Sequence, residues 1–264
     1  MSDSKKIYGL IGYPLSHSFS KKYFSEKFER EGITHTCSYQ NFELKNINDF
    51  PELIKLNPHL VGLNVTIPYK EQIIPLLNEL APVARDIGAV NTIVIRRNFE
   101  GDEINCCGHN TDVTGFYSTL KPLLQKHHAG VLVLGTGGAS KAIVHALKML
   151  HLPHKSVSRS KSKEAILYSR IDAEILAKFP VIINTTPLGT FPDIHHAPDV
   201  PYELLGPHNF LYDLVYNPEE TLFLKKGKIQ GAQTINGYAM LVAQAEASWK
   251  IWNEKSPQQA VSSR

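Results

Sequence analysis

The sequence predicts an α/β fold of two domains, and three observations carry that expectation. The chain runs to 264 residues, long for one hydrophobic core and comfortable for two. Short apolar runs of strand length alternate with helical patterns along most of it, the signature of β/α units. Residues 131–147, VLVLGTGGASKAIVHAL, join an apolar strand to a glycine turn and then to a helix.

That third observation is also the first functional one. Val131 to Leu134 are short and β-branched enough for a buried parallel strand. Gly135, Thr136, Gly137, Gly138, Ala139 and Ser140 come next, and Ile143, Val144 and Leu147 carry the helical spacing. A strand, glycine turn and helix in that order hold a nucleotide pyrophosphate. The glycines permit close backbone approach, and the helix start offers free N–H groups and a positive dipole end. The spacing is G-x-G-x-x-S, a weak signal alone, because any tight strand-to-helix turn favours glycine. The residues beyond the helix sharpen it. NAD-binding units place an acid about 20 residues further on, against the ribose 2′-hydroxyl. Here Ser156-Val157-Ser158-Arg159-Ser160 and then Lys163 occupy that place, with no acid. Arg159 and Lys163 can be read as a solvated basic loop. Falling where a ribose reader belongs, they favour a 2′-phosphate, hence NADP over NAD.

Composition removes several classes. The formal charge is +3 and the apolar content 42%, with no wide basic stripe for nucleic acid. Residues 7–11 are too short for a signal-peptide core, and no stretch could span a bilayer. Three cysteines, with Cys106 and Cys107 adjacent, make neither a disulfide framework nor a zinc pattern. A reduced, cytoplasmic protein is expected. The twelve histidines are scattered. His127-His128 and His195-His196 lack metal-ligand spacing and read as surface residues, so no metal is expected.

In chain order, residues 6–11 read as a strand ending in a polar loop, Leu15-Ser16-His17-Ser18-Phe19-Ser20. Ser20 suffices to cap a helix over 21–31, which Gly32 stops. Ser16 and Ser18 are then spare hydroxyls able to bind a carboxylate. A strand near 36–41 and a helix near 48–56 precede LVGLNVTIPYK at 60–70. Val61, Leu63, Val65 and Ile67 share one face of that strand, and Gly62, Asn64 and Thr66 the other. Pro68 ends the pairing for want of an N–H. Lys70 then lies at the strand's carboxyl end, where such sheets place ligands, although most lysines are simply exposed.

Helical segments are expected over 71–80 and 81–86, then strands through Ile95 and over 103–108. His109-Asn110-Thr111-Asp112 opens a helical run over 113–124, with Asp112 fitting a helix cap or a catalyst equally. Strands at 181–184 and 210–215 end in Thr185-Thr186-Pro187-Leu188-Gly189 and Tyr216-Asn217-Pro218. The last helix spans about 237–252. Leu241, Ala245 and Trp249 are its expected core side, while Gly237, Met240 and Gln244 line a neighbouring face. Gln244 reads as turned toward a cleft or partly exposed. Residues 255–264 read as a frayed tail.

Read together, GYPLSHSFS (12–20), GLNVTIPYK (62–70), GAVNT (88–92), HNTDVTG (109–115), LGTGGAS (134–140), SRSKSK (158–163), NTTPLG (184–189), DLVYNP (213–218) and NGYAMLVAQA (236–245) resemble the shikimate dehydrogenase family, in order and over nearly the whole chain. The resemblance implies an N-terminal α/β substrate-binding domain (1–110 with 237–264, the C-terminal helices returning to it). It implies a Rossmann-like NADP-binding domain over 111–236. The implied reaction is the reversible NADPH-dependent reduction of 3-dehydroshikimate to shikimate in aromatic amino-acid synthesis. Carried over residue by residue, Ser16, Ser18, Thr66, Asn91, Tyr216 and Gln244 would bind substrate, and Lys70 and Asp112 would be the catalytic pair. Gly135 to Ala139 would hold the pyrophosphate, and Ser158, Arg159 and Lys163 the 2′-phosphate. Thr186, Val215, Gly237 and Met240 would surround the nicotinamide. The implied partner is a small molecule, with neither nucleic acid nor membrane, and the chain would be a monomer or homodimer. Lys21, Ser158 and Thr190 depart from the family's usual proline, asparagine and methionine. Rival readings are a quinate/shikimate dehydrogenase using NAD or both cofactors, a methylenetetrahydrofolate dehydrogenase, and a catalytically dead NADP-binding regulator.

Overall fold

A computed structural model of the chain describes residues 5–15, 19–98, 103–161 and 163–254. Ser16, Ser18 and the tail expected at 255–264 lie outside the described residues. The chain divides into two compact units, Met1–Thr111 with Ala245–Arg264, and Asp112–Gln244.

The first unit contains β1 (Lys6–Gly12), α1 (Phe19–Arg30), β2 (Cys37–Glu43), α2 (Phe50–Leu56), β3 (Leu60–Val65), α3 (Tyr69–Gln72), β4 (Glu79–Leu80), α4 (Pro82–Ile87), β5 (Thr92–Arg97) and β6 (Ile104–His109). The second contains α5 (Asp112–Leu120), β7 (Val131–Leu134), α6 (Gly138–Met149), β8 (His154–Ser158), β9 (Ala165–Leu167), α7 (Ala173–Lys178), β10 (Val181–Asn184), β11 (Phe210–Asp213), α8 (Leu222–Ile229) and β12 (Gln233–Ile235). The closing helix α9 (Tyr238–Asn253) begins in the second unit and ends in the first.

The first sheet has the order β2-β1-β3-β5-β6-β4. Strands β1, β2 and β3, linked through helices, run parallel, whereas β5 pairs antiparallel with both β3 and β6. The short link from β5 to β6 leaves no room for a crossover, so that pair must be antiparallel. Both faces of the sheet are buried. One packs Ile11, Leu63, Val65, Ile93 and Ile95 against Phe50, Ile54 and Ile73. The other packs Tyr8 and Leu10 against Phe24, Phe28 and, from α9, Ala245, Trp249 and Trp252. The second sheet, β12-β11-β10-β7-β8-β9, is parallel throughout. Its central strands, VLVL and VIIN, are buried along their full length and apolar up to Asn184, as a sheet with helices on both faces requires.

Four expectations need correction. Residues 71–80 are not one helix. Pro75 lacks the N–H and crowds the preceding turn, so α3 ends at Gln72, a 3-10 turn covers Ile74–Leu76, and β4 comes after it. Strand β3 stops at Val65, and Ile67 lies beyond it, 67% exposed. The N–H of Tyr69 bonds Thr66 O at 2.9 Å and turns the chain there. On α9, Met240, Gln244, Ala245 and Ser248 are the buried residues, while Leu241 and Trp249 are only half-buried. His128 is buried and stacks on Phe210 rather than facing solvent.

The end of α9 seats on β3 through one glycine. A Cβ on Gly62 would lie 2.5 Å from Trp252 Nε1, and that indole N–H donates to Ile93 O at 3.0 Å. Gly62→Ala therefore overpacks this seat. We expect it to lower the unfolding free energy by ~1–3 kcal/mol in urea denaturation, and an unchanged midpoint would contradict the seat.

Candidate active-site residues and cofactor groove

In the first unit the expected site residues sit where strands end. The carbonyl of Lys70 accepts from Val90 N at 2.7 Å, and Val65 N donates to Asn91 O at 2.9 Å. These bonds join the NVTIPYK and GAVNT stretches, so Thr66, Lys70 and Asn91 are held on one backbone frame. Thr66 and Lys70 are half-buried; Asn91 is buried. A Cβ on Gly12 would lie 2.4 Å from Thr66 Cγ2, which is why a glycine ends β1.

Asn91 works inward. Its Oδ1 accepts from Thr111 N at 2.7 Å, and its Nδ2 donates to Thr111 Oγ1 at 3.0 Å. Thr111 belongs to a buried polar cluster. Thr92 Oγ1 lies 3.2 Å from Thr111 Oγ1 and 2.8 Å from Ser248 Oγ. Thr111 Oγ1 is 3.1 Å from Ser248 Oγ, and Asn64 Nδ2 donates to Ser248 Oγ at 3.1 Å. Tyr39 Oη donates to Asn64 Oδ1 at 2.8 Å. Burial pushes the Tyr39 phenol above its ordinary range. Tyr39, Thr92, Thr111 and Ser248 were missed at the level of sequence. The available signal was Ser248, one helical turn beyond Gln244.

In the second unit, β7, β8 and β10 carry a groove of about 1150 Å³ beyond their carboxyl ends. Gly135, Thr136 and Gly137 line it, as do Ser158 and Arg159, Lys161, Lys141, and Thr185 and Thr186. Among the expected cofactor residues, Gly138, Ala139, Lys163, Val215, Gly237 and Met240 are not part of that lining. Two glycines serve different ends. Gly135 has φ +112°, and a Cβ there would lie 2.7 Å from Thr185 Oγ1, so backbone and packing both require it. Gly137 has an ordinary φ of −81° and nothing within 4 Å of a would-be Cβ. Among the described residues nothing demands glycine at Gly137. Its missing side chain leaves a cradle at the start of α6, whose first N–H groups have no partner within the helix. Ser140 Oγ donates to Gly135 O at 2.8 Å and locks the turn, accounting for serine at the third position of the motif. A cradle with Arg159, Lys161 and Lys141 in the same lining suits a dinucleotide carrying an extra phosphate.

The next loops along the sheet share one anchor. Asp213, at the end of β11, is fully buried. Its Oδ1 accepts from Asn184 Nδ2 at 2.9 Å and Val215 N at 3.0 Å, and its Oδ2 from Thr221 Oγ1 at 2.6 Å. Burial pushes this carboxyl up to about 6, against the pull of those donors. Asn184 Oδ1 in turn accepts from Thr186 N at 3.0 Å and Thr186 Oγ1 at 2.6 Å. Val215 O accepts from Gly237 N at 3.1 Å. A Cβ on Gly237 would lie 2.1 Å from Leu214 O, so the start of α9 packs on that loop only with glycine. Tyr216 is half-buried, and burial raises its phenol pKa.

Asp112 is buried at the first position of α5. Gly115, one turn on, lets α5 approach α9, since a Cβ there would lie 2.8 Å from Met240 O and 3.0 Å from Gln244 Cβ. Gln244 is buried, with Nε2 donating to Leu241 O at 2.9 Å, so the solvent-exposed reading of its face fails. Among the described residues no group of three His, Cys, Asp or Glu is placed to hold a metal, and no helix is long and apolar enough to cross a membrane.

Comparison with known proteins agrees with this geometry. Residues 10–93 match the model for the shikimate dehydrogenase substrate binding domain. The shikimate dehydrogenase (NADP(+)) of Chlorobium phaeovibrioides is 36% identical over 100% of this chain and 96% of its own length. A crystal structure of shikimate dehydrogenase 1 from Peptoclostridium difficile superposes with TM-score 0.79 at 35% identity, covering 96% of this chain and 94% of that one. That of shikimate 5-dehydrogenase from Thermus thermophilus, solved with NADP(H) and shikimate, gives 0.80 at 28% identity, covering 94% and 93%. With strand-end loops, the glycine turn before α6 and full-length likeness in agreement, the chain belongs to the shikimate dehydrogenase family.

Proposed function

We propose that this chain catalyses the reversible NADPH-dependent reduction of 3-dehydroshikimate to shikimate, as a cytoplasmic enzyme acting on a small molecule. The observation that carries this is the Gly137 cradle sharing one groove with Arg159 and Lys161, in a chain related along its whole length to NADP(+)-dependent shikimate dehydrogenases. The three free cysteines suit a reducing compartment.

Gly135 to Ala139 would hold the pyrophosphate, with Thr186, Val215, Gly237 and Met240 on the nicotinamide side. Ser158 and Arg159 would read the 2′-phosphate. Lys161 joins them because it lines the groove where Lys163 does not. The bound cofactor supplies the hydride, or accepts it in the reverse direction. Ser16, Ser18, Thr66, Asn91, Tyr216 and Gln244 are assigned to the carboxylate and ring hydroxyls of the substrate. Lys70 and Asp112 are assigned the acid–base work. Reduction of the C3 carbonyl builds negative charge on its oxygen, which the Lys70 ammonium stabilises and protonates. The Asp112 carboxylate would accept a hydrogen bond from a substrate hydroxyl.

Four outcomes are expected. Purified protein should reduce NADP⁺ with shikimate, followed by near-ultraviolet absorbance; comparable turnover with NAD⁺ or quinate would overturn the specificity argument. Lys70→Ala should lower kcat by roughly 10²–10⁴ with the fold retained on circular dichroism, and near-normal turnover would remove Lys70 from the chemistry. A charged hydrogen bond contributes about 1.5–3 kcal/mol. Arg159→Ala should therefore cost about ten- to a hundredfold in kcat/KM for NADP⁺ and little for NAD⁺. Lys161→Ala should track Arg159→Ala more closely than Lys163→Ala does, and the reverse order would return Lys163 to the phosphate site.

A further inference from the structure

We propose that Asp213 is a positioning residue that sets two nicotinamide-side loops, one bearing Thr186 and one bearing Val215, as a single rigid unit. The inference rests on the cofactor assignment above. No residue of this anchor other than Thr186 and Val215 has a place in that assignment.

Strands β10 and β11 are neighbours in register, with Asn184 opposite Asp213 at their carboxyl ends. Thr185 N and Leu214 N still bond Leu134 O and Asn184 O at 3.0 Å, and the next N–H on each strand, Thr186 and Val215, is taken by a side chain. One carboxylate links the two sides. It accepts from the Val215 N–H of its own loop and from the Asn184 side chain of the neighbouring strand. The amide of Asn184, oriented by that donation, presents its oxygen to the N–H and hydroxyl of Thr186. Thr221 Oγ1 holds the second carboxylate oxygen and also accepts from Leu224 N at 3.3 Å, tying the anchor to the start of α8. A purely apolar core residue would do none of this, because it offers no acceptor to three separate donors. Thr185 adds a further tie, donating from Oγ1 to Leu134 O at 2.7 Å. Thr186 therefore depends on the Asp213–Asn184 pair for its side-chain orientation.

The hydrogen-bond pattern separates positioning from mere charge. An asparagine at position 213 keeps an oxygen for Asn184 and Val215, and its amide can donate to the Thr221 hydroxyl oxygen. Alanine keeps nothing. Three readouts on the full chain test this, comparing Asp213→Ala with Asp213→Asn. The dissociation constant of NADPH should stay near that of the unsubstituted protein in both variants, because the phosphate end is held elsewhere. Emission of bound NADPH, which reports how firmly the nicotinamide is held, should fall toward the free-cofactor value in Asp213→Ala and recover in Asp213→Asn. With shikimate and NADP⁺, kcat should drop roughly tenfold to a hundredfold in Asp213→Ala, the scale of a misplaced reacting group, with little change in KM for shikimate. Unchanged emission and kcat in Asp213→Ala, or equal losses in Asp213→Asn, would overturn the proposal. Should Asp213→Ala fail to fold, Asn184→Ala removes the link to Thr186 while leaving Asp213 its bonds from Val215 N and Thr221 Oγ1, and its emission and kcat decide in the same two directions. Because emission needs no substrate turnover, an unsubstituted protein that binds NADPH but leaves shikimate unoxidised would refute the substrate assignment alone.

Discussion

The constraint on which the rest depends is that backbone and side-chain polar groups at the carboxyl ends of buried strands must find partners inside the protein. A buried polar group left unpaired costs about 1–3 kcal/mol, and the strand ends beside the candidate site residues are closed by hydrogen bonds within the protein. In the first unit Asn64, Thr92, Thr111 and Ser248 satisfy one another through short contacts. They join β3, β5, the segment after β6 and α9 at one point. Such a network polarises its members and rigidifies when complete. Lys70 and Asn91 hang from the frame it braces.

The second unit solves the same problem with a carboxylate. Asp213 stays buried because three donors converge on it, and Asn184 passes that order to Thr186. At β7 the solution is backbone rather than side chain. Gly135 adopts a left-handed conformation, and Ser140 closes the turn onto its carbonyl. The open space at Gly137 is then available to a ligand because the turn is held by its neighbours.

Much of this was legible from residue order. Alternation of strand and helix patterns, the GTGGAS turn and the place of Lys70 after a core strand arise from local periodicity and backbone chemistry, which act over a few residues. The break at Pro75 had a local cause as well, yet the apolar run around it masked it. Other features depend on distant partners. Ser248 lies one helical turn beyond Gln244, but Asn64 and Thr92 reach it from distant strands. His128 reads as exposed until Phe210 packs on it. Lys161 and Lys163 are the same residue type two positions apart, and only the folded chain shows Lys161 in the groove lining.

The sequence by itself determined the α/β class, the glycine turn between β7 and α6 and, through its nine ordered motifs, the family. Those are properties of short stretches whose backbone demands are met within a few residues. Tertiary structure alone decided which polar side chains close the strand ends and which face of α9 is buried. It also decided which cations line the groove. Each of these depends on donors and acceptors meeting across large sequence separations, and a hydrogen bond between such groups is set by packing, not by the order in which they are written.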